Sequence, residues 1–517
     1  MLNLAAALQR NAVSQPDKIA IICGETQITY AQFNAIASQI ANGLKAKGVQ
    51  PGDRIALSCP NLPYFPLVYY GIQKAGAVVV PLNVLLRERE IQYHLEDAQA
   101  KFYFCFEGTA ELPMADAGIA AFQKVGGCEH MVVMTADQSQ QEYKGMPTLS
   151  ALMKNQPSDG DCAYRSAEDT AVILYTSGTT GLPKGAELTQ SNQYINALAA
   201  QNLMQMRGDD VHLLTLPLFH TFGQTVNMNA PVSLGCTLVM VPRFDAALVL
   251  ELIEQHRVTI FAGVPTMYIS LNLCKAEHDV SSLRLGVSGG ASLPVEVLRT
   301  FEGRFGIPVL EGYGLSETSP IASFNHLDKP RLPGSVGQPI QGVEIRVVDD
   351  NDQPVPQGEP GEIIIRGHNV MKGYLNRPEE NDNALRHGWF HSGDIGRFDE
   401  HGNLFIVDRV KDLIIRGGFN VYPREIEEVF MTHPDVAMVA VIGIPSQQYG
   451  EDVKAYVVLK EGATITETEL QVWGKAQLAA YKYPRQVEIR QALPMNATGK
   501  ILKKELKAEL RNATETA

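Results

Sequence analysis

From residue 19 to about residue 310, short β-rich runs alternate with helix-length amphipathic segments. That alternation predicts parallel or mixed sheets with helical crossovers. Expected strands lie at 54–58, 78–81, 101–105, 170–175, 211–216, 237–241, 259–261, 285–288 and 308–311. Between them, 30–47, 246–255 and 294–305 space their apolar residues near i, i+3 and i+4, as helices with one buried face do. After about residue 333 the texture changes. Strands at 343–349, 361–366 and 404–407 are separated by turn-rich pieces such as DDNDQPVPQGEPGE, a pattern of antiparallel hairpins or a small barrel. A third texture follows, with a helix at 423–431, strands at 436–442 and 454–459 and a final helix beyond 500. The boundary is expected at 408–412. The fold class is therefore α/β: a large N-terminal domain (1–410) of two βαβ-type sheet subdomains and a small antiparallel β-barrel, then a small α+β C-terminal domain (411–517). The stretch 107–156 shows no clear pattern.

A length of 517 residues, at roughly 150 per domain, agrees with about three structural units. Apolar residues at 45% and charged residues at 20% exclude a disordered or fibrous chain. The formal charge of −13 argues against a nucleic-acid partner, because neutralising phosphates needs a dense basic face. The longest apolar stretches, such as AVVVPLNVLL at 77–86, are about half of a membrane span, so no transmembrane segment is expected. The start, MLNLAAALQRNAVSQP, has no basic region ahead of its apolar run, and Gln9 and Arg10 end that run early. A cytoplasmic protein is expected on that basis. Seven scattered cysteines with no CxxC pair suggest free thiols rather than a disulfide frame or a zinc knuckle.

The strongest chemical signal is YTSGTTGLPKG at 175–185. Gly178, Gly181 and Gly185 free the backbone to turn its N–H groups toward one point. Thr176, Ser177, Thr179 and Thr180 add hydroxyl donors, and Lys184 adds positive charge. Together they suit a phosphate cradle between the strand before it and a helix-length segment after it. GxxxxGK[ST] would need glycine and lysine adjacent, whereas Pro183 precedes Lys184, so an ordinary P-loop NTPase is disfavoured.

This loop resembles that of the adenylate-forming superfamily, which includes acyl- and aryl-CoA synthetases, luciferases and peptide-synthetase adenylation domains. Further motifs appear in the family's order: LPLFHTFG (216–223), SGGASLP (288–294), EGYGLSET (311–318), GSVGQP (334–339), WFHSGD (389–394), DRVKDLIIRGGFNVYP (408–423) and PMNATGK (494–500). The texture is most similar to bacterial fatty-acyl-CoA ligases. The resemblance implies a ligase that joins a carboxylic acid to ATP, releasing diphosphate, and then passes the acyl group to coenzyme A, releasing AMP. ATP, Mg²⁺ and coenzyme A are its implied cofactor and cosubstrates.

Both reactants of the first step are anionic, so its site must neutralise charge and align the attack. Glu317 suits an oxygen ligand for Mg²⁺, with Thr176 nearby by resemblance. Tyr313 offers an aromatic face for adenine, Gly290, Glu311 and Gly312 supply backbone contacts as in the family, and Ser316 keeps a hydroxyl for phosphate. Asp394, read as closing a polar turn, can accept ribose hydroxyls, and Arg409 joins it by resemblance. In the family the lysine matching Lys500 reaches the carboxylate and the α-phosphate, and Lys184 belongs to the same catalytic group. His220 is placed at the carboxylate end of the acyl pocket; a carboxylic acid is already ionised at neutral pH, so no general base is needed there.

Lys411 matches the family's hinge, about which a mobile C-terminal domain withdraws Lys500 and presents the GGFN loop of Gly417, Gly418 and Asn420 to coenzyme A. Plant-type relatives often carry lysines where this chain has Ile415 and Gly417, with Arg416 between, so the resemblance does not assign the contacts to the phosphates of coenzyme A. Arg243 matches a position that some relatives use for its nucleotide part. The candidate acyl pocket is His220, Phe222, Gln224, Val226, Val264, Val287 and Gly289, mostly apolar or small, which favours an acyl chain. Relatives that take malonate-like diacids tend to place arginine at the position of Gly312, so a charged tail is disfavoured. The leading expectation is a medium- or long-chain fatty acid. An aryl-CoA ligase, an enzyme that loads a carrier protein, a luciferase-like oxidation and an inactive regulatory relative stand as alternatives; the last would be expected to have lost Lys500, Glu317 or Asp394. Peripheral membrane contact and a homodimer are left open.

Overall fold

The computed structural model describes residues 2–176 and 182–515. Parallel strands dominate two large sheets. In the first, Val78–Pro81, Arg54–Ser58, Phe102–Phe106 and His130–Met134 run parallel, and Thr170–Thr176 joins them on the side of Val78–Pro81. Runs such as Val78–Pro81 and Phe102–Phe106 are buried at every residue, the signature of a sheet covered on both faces. The second large sheet has a parallel centre of Val309–Gly314, Leu285–Ser288, Ile260–Gly263, Val211–Leu214, Thr237–Met240 and Ile19–Cys23. Antiparallel strands Ile321–Phe324 and Thr26–Thr29 flank it.

Helix starts follow local chemistry. Thr29 Oγ1 accepts the Gln32 N–H at 3.2 Å, and Gln32 Oε1 accepts the Thr29 N–H at 2.9 Å. This reciprocal cap opens Tyr30–Ala46. Asp245 Oδ1 accepts the Leu248 N–H at 2.9 Å at the start of Ala246–His256.

The turn-rich region is a four-stranded antiparallel sheet in the order Val343–Val348, Gly361–Gly367, Phe390–Phe398 and Leu404–Arg409. A short turn, Val410–Asp412, leads from it into a five-stranded sheet that contains Ile414–Arg416, Phe419–Val421 and the long hairpin of Val436–Ser446 and Gly450–Leu459. Gln486–Arg490 adds a parallel strand to that sheet.

Two expectations need correction. The segment after the glycine-rich turn is not a helix at once: Lys184–Thr189 returns as a strand antiparallel to Thr170–Thr176, so the turn tips a hairpin and the helix begins at Gln190. A KGAELT strand alternates too weakly to be read as one before its partner is known. Asp394 does not close a turn but lies inside Phe390–Phe398. The polar HSGD run hides that strand, because its side chains are satisfied by partners far along the chain: His391 by Glu362, Ser392 by Ile363 O and Asp394 by Tyr313 and Arg409. The stretch 107–156 holds helix Met114–Phe122, strand His130–Met134 and helix Leu149–Met153. MADAGIAAF lacks the polar face that would have marked it as a helix.

Buried amides tie the two large sheets together. Asn61 Nδ2 donates to Leu216 O at 2.9 Å, and Asn61 Oδ1 accepts the Leu218 N–H at 3.0 Å. Asn229 bridges the Tyr69 and Tyr70 hydroxyls at 3.2 and 3.1 Å. Such groups are stable inside only when hydrogen-bonded, so these bonds fix the segment leading to His220 against the first sheet. Among the described residues no helix is long and apolar enough to cross a membrane.

Candidate active site

In sheets of this type ligands lie beyond the carboxyl ends of the parallel strands. Gly289 and Gly290 follow Leu285–Ser288, Val264 follows Ile260–Gly263, and Gly312 and Tyr313 fall within the last residues of Val309–Gly314. A Cβ built on Gly289 would stand 3.2 Å from the Phe222 ring and 3.5 Å from Gly312 O, and one on Gly290 3.5 Å from Val264 Cγ1. These residues therefore converge on one wall. Gly312 has no room for a side chain, since its Cβ would come within 2.3 Å of the Phe324 ring. The Glu311 backbone is already engaged: its carbonyl accepts Asn325 N–H and Nδ2–H, both at 3.1 Å. Its carboxylate accepts the Leu293 N–H at 3.2 Å, and burial pushes its pKa up to about 7.

Tyr313 and Asp394 meet across 81 residues of sequence, the phenol donating to Asp394 Oδ2 at 2.7 Å. Arg409, cross-strand partner of Asp394, donates through Nε to Oδ1 at 3.0 Å. Asp394 is 5% exposed, so this is an oriented internal pair rather than a surface one. Each carboxylate oxygen keeps a further lone pair for another donor.

Thr176 and Lys184 face each other at the two stems of the glycine-rich turn. Ser177, Gly178, Thr179, Thr180 and Gly181 lie outside the described residues. Lys184 Nζ stands 5.2 Å above the Tyr374 ring, and Tyr374 OH donates to Glu317 Oε1 at 2.8 Å. The edge strand Gly373–Tyr374, paired with Lys184–Thr189, thus joins the turn to Glu317. Ser316 shares the short helical turn Ser316–Thr318 with Glu317. Burial pushes the Glu317 pKa upward, against its own backbone N–H, Tyr374 and the Arg409 charge. A buried carboxylate with spare lone pairs fits a hard divalent ion. Among the described residues no group of three His, Cys, Asp or Glu could hold a metal alone, so Mg²⁺ would share its ligands with phosphate oxygens, as it usually does.

His220 follows the segment that Asn61 braces. Burial, with the Lys500 charge adding to it, lowers its pKa to about 4, so the ring is neutral. Its Nδ1 accepts the Phe222 N–H at 3.3 Å, which leaves the proton on Nε2. Gln224 and Val226 lie in the π-helical turn Gly223–Asn229 and, like Val287, are fully or almost fully buried.

Lys500 is half-buried within the field of Arg409, Asp394 and Lys411; desolvation first, then Arg409, lowers its pKa to about 8. The turn that carries it is built on Asn496, whose Oδ1 accepts the Thr498 N–H at 3.0 Å and the Lys500 N–H at 2.8 Å. Thr266 Oγ1 donates to Gly499 O at 3.2 Å, and a Cβ at Gly499 (φ 78°) would come within 2.7 Å of that hydroxyl. Only glycine lets the turn approach so closely. Glu428 supports the same placement by accepting the Val295 N–H, at the start of Val295–Phe305, at 3.2 Å.

The GGFN hairpin is not with Lys500. Gly417, Gly418, Phe419 and Asn420 are exposed, with Gly417 N–H bonded to Tyr449 O at 2.8 Å and Phe419 stacked on Tyr481. Lys411 is exposed in the connecting turn Val410–Asp412. Arg243 is exposed in the loop before Ala246–His256. Sequence reasoning missed Asn61, Thr266, Tyr374 and Glu428. Each acts through space on a distant motif, and none sits in a string whose spacing signals chemistry.

A family model described as AMP-binding enzyme matches residues 8–375, and one described as AMP-binding enzyme C-terminal domain matches residues 425–500. The chain is 36% identical over 527 residues to the long-chain-fatty-acid–CoA ligase of Bacillus subtilis (strain 168), covering 98% of this chain and 94% of that protein. It is 36% identical over 501 residues to a feruloyl-CoA synthase of Amycolatopsis sp, covering 96% and 97%. The crystal structure of ATP-bound MatB from Rhodopseudomonas palustris aligns with a TM-score of 0.91 at 35% identity, over 99% of this chain and 100% of that one.

Proposed function

The chain belongs to the AMP-binding enzyme family and is an AMP-forming acid–thiol ligase that uses ATP and coenzyme A; on that premise we propose that its acid is a medium- or long-chain fatty acid. The observation that carries this reading is the candidate pocket wall. Phe222, Val226, Val264 and Val287 are apolar and at most 8% exposed, and Gly289 leaves the Phe222 ring uncovered on one side. Each methylene buried against such a wall contributes about 0.8 kcal/mol. The name of the Bacillus subtilis relative supports the same class.

In the first step a carboxylate oxygen bonds to the α-phosphorus of ATP while the bond to the diphosphate oxygen breaks. Thr176 and Lys184 hold phosphate oxygens, Asp394 holds the ribose with Arg409 and Tyr313 fixing its carboxylate, and neutral His220 offers Nε2–H to the acid. Lys500 meets the negative charge that builds between carboxylate and α-phosphate. Glu317 and Thr176 would hold Mg²⁺, which when bound neutralises phosphate charge. In the second step the sulfur of coenzyme A attacks the acyl carbon and AMP leaves; the thiol proton passes to solvent. For that step the C-terminal domain, 411–517, turns at Lys411, Lys500 withdraws and Gly417, Gly418 and Asn420 line the thiol's approach. Lys500 within the field of Asp394 and Arg409, with the hairpin exposed, fits the arrangement for the first step.

A hydroxylated aryl acid is the second reading, favoured by Gln224: it is 0% exposed, and neither of its amide atoms has a hydrogen-bond partner among the described residues. A polar group on the acid would satisfy it. Rates of CoA-dependent AMP release across saturated acids of increasing length, benzoate and hydroxycinnamates separate the two. Rising kcat/KM with chain length is the expected result; a preference for the aryl acids selects the second reading.

A further inference from the structure

Helix Glu88–Asp97 presents Tyr93 and Asp97 one turn apart, on one face. Tyr175 OH donates to Asp97 Oδ2 at 2.8 Å, and Arg377 Nη2 donates to Asp97 Oδ1 at 2.5 Å. The same Arg377 nitrogen reaches the Tyr93 oxygen at 3.1 Å, and the Tyr93 hydroxyl donates to Pro183 O at 2.7 Å. Tyr175 stands immediately before Thr176 and Pro183 immediately before Lys184. The bonds therefore run from one stem of the glycine-rich turn to the other through three side chains. The His94 ring packs on the Tyr175 ring with centroids 4.4 Å apart and holds the first stem from its flank. Arg377 is itself anchored close by: Leu375 N–H donates to Gly185 O at 2.8 Å, and Tyr374 OH reaches Glu317.

Asp97 and Arg377 form a charge-assisted pair whose side chains are 11% and 25% exposed, partly shielded from water and salt. A pair needed only for stability could be placed anywhere. This one spends both carboxylate oxygens and the guanidinium on groups that bracket the turn. We propose that Tyr93, Asp97 and Arg377 are positioning residues that set the spacing of Thr176 and Lys184 and so the placement of ATP phosphates. The proposal rests on the reading of this turn as the phosphate site.

The test uses the full-length protein in acid-dependent pyrophosphate exchange, with thioester formation from supplied acyl-adenylate as the second readout. Arg377→Met and Asp97→Asn are each expected to raise the KM for ATP about ten-fold, because small misplacements of a positioned group are costly. The double variant should show little more than either single one, since both break one circuit. Thioester formation should stay at the wild-type rate. Tyr93→Phe deletes one hydroxyl and is expected to raise the KM about three-fold; it keeps the test open if the charge variants fold poorly. Folded variants with unchanged KM for ATP, or an equal loss of both half-reactions, overturn the proposal. Thr176→Val is measured alongside. If it raises the KM for ATP while Arg377→Met and Tyr93→Phe do not, the positioning role is wrong and the phosphate site stands. If none of the variants moves the KM, the phosphate-site reading falls and the positioning role with it.

Discussion

Lys500→Ala is expected to slow adenylation about 10²- to 10³-fold, the cost of removing one preorganised donor from developing charge. The cations nearest the ammonium group are placed elsewhere: Arg409 is engaged with Asp394, and Lys411 is exposed in the connecting turn. Thioester formation from supplied acyl-adenylate should change little, because that step is assigned to the arrangement from which Lys500 has withdrawn. The same residue predicts a pH limb. With its pKa lowered to about 8, Lys500 loses its proton as pH rises through that value, so kcat/KM for ATP should fall on the alkaline side. Lys500→Arg keeps the charge to much higher pH and should move the limb upward even if the rate drops. Pyrophosphate exchange across pH, set beside the thioester assay, reads both effects. Equal loss of both half-reactions in Lys500→Ala would contradict the assignment.

Glu317→Gln carries the second large effect. The amide keeps the shape of the side chain and can still accept the Tyr374 hydroxyl, but it removes the buried negative charge. Adenylation is expected to fall about 100-fold, and saturation by Mg²⁺ should require a higher free concentration. Tyr374→Phe, which removes only the orienting bond of 2.8 Å, should cost far less, about the net worth of one hydrogen bond to a charged group. Exchange rates measured against free Mg²⁺ distinguish the two variants. An unchanged Mg²⁺ dependence in Glu317→Gln would place the ion elsewhere.

Much of this site was legible because its motifs are continuous strings in which backbone freedom, hydroxyls and charge coincide. Gly289, Phe222 and Val264, called from separate motifs, stand on one wall with Gly290, and Lys500 lies within the field of Asp394 and Arg409. The strand at 78–81 was readable because a parallel strand buried on both faces is a near-continuous apolar run. What could not be read is what depends on a partner far along the chain. Asp394 sits in a strand whose polar residues are satisfied by distant partners, so its local pattern resembles a turn. The glycine-rich turn tips a hairpin because Lys184–Thr189 finds Thr170–Thr176 and Gly373–Tyr374 on its two sides, and KGAELT alone does not say so. Asn61, Thr266, Tyr374 and Glu428 look like ordinary surface or core residues until the fold brings each to a motif. The side from which the C-terminal domain presents itself is likewise set by through-space bonds, Glu428 to the Val295 N–H and Thr266 to Gly499 O.

In the proposed mechanism one site performs two successive transfers through a discrete acyl-adenylate. A single turnover of limiting ATP on excess enzyme with a saturated fatty acid, first without coenzyme A and then with it, tests this most directly. Acyl-adenylate and pyrophosphate are expected before the addition, with AMP and acyl-CoA only after it. No adenylate in the first phase, with pyrophosphate appearing only once coenzyme A is present, would contradict it.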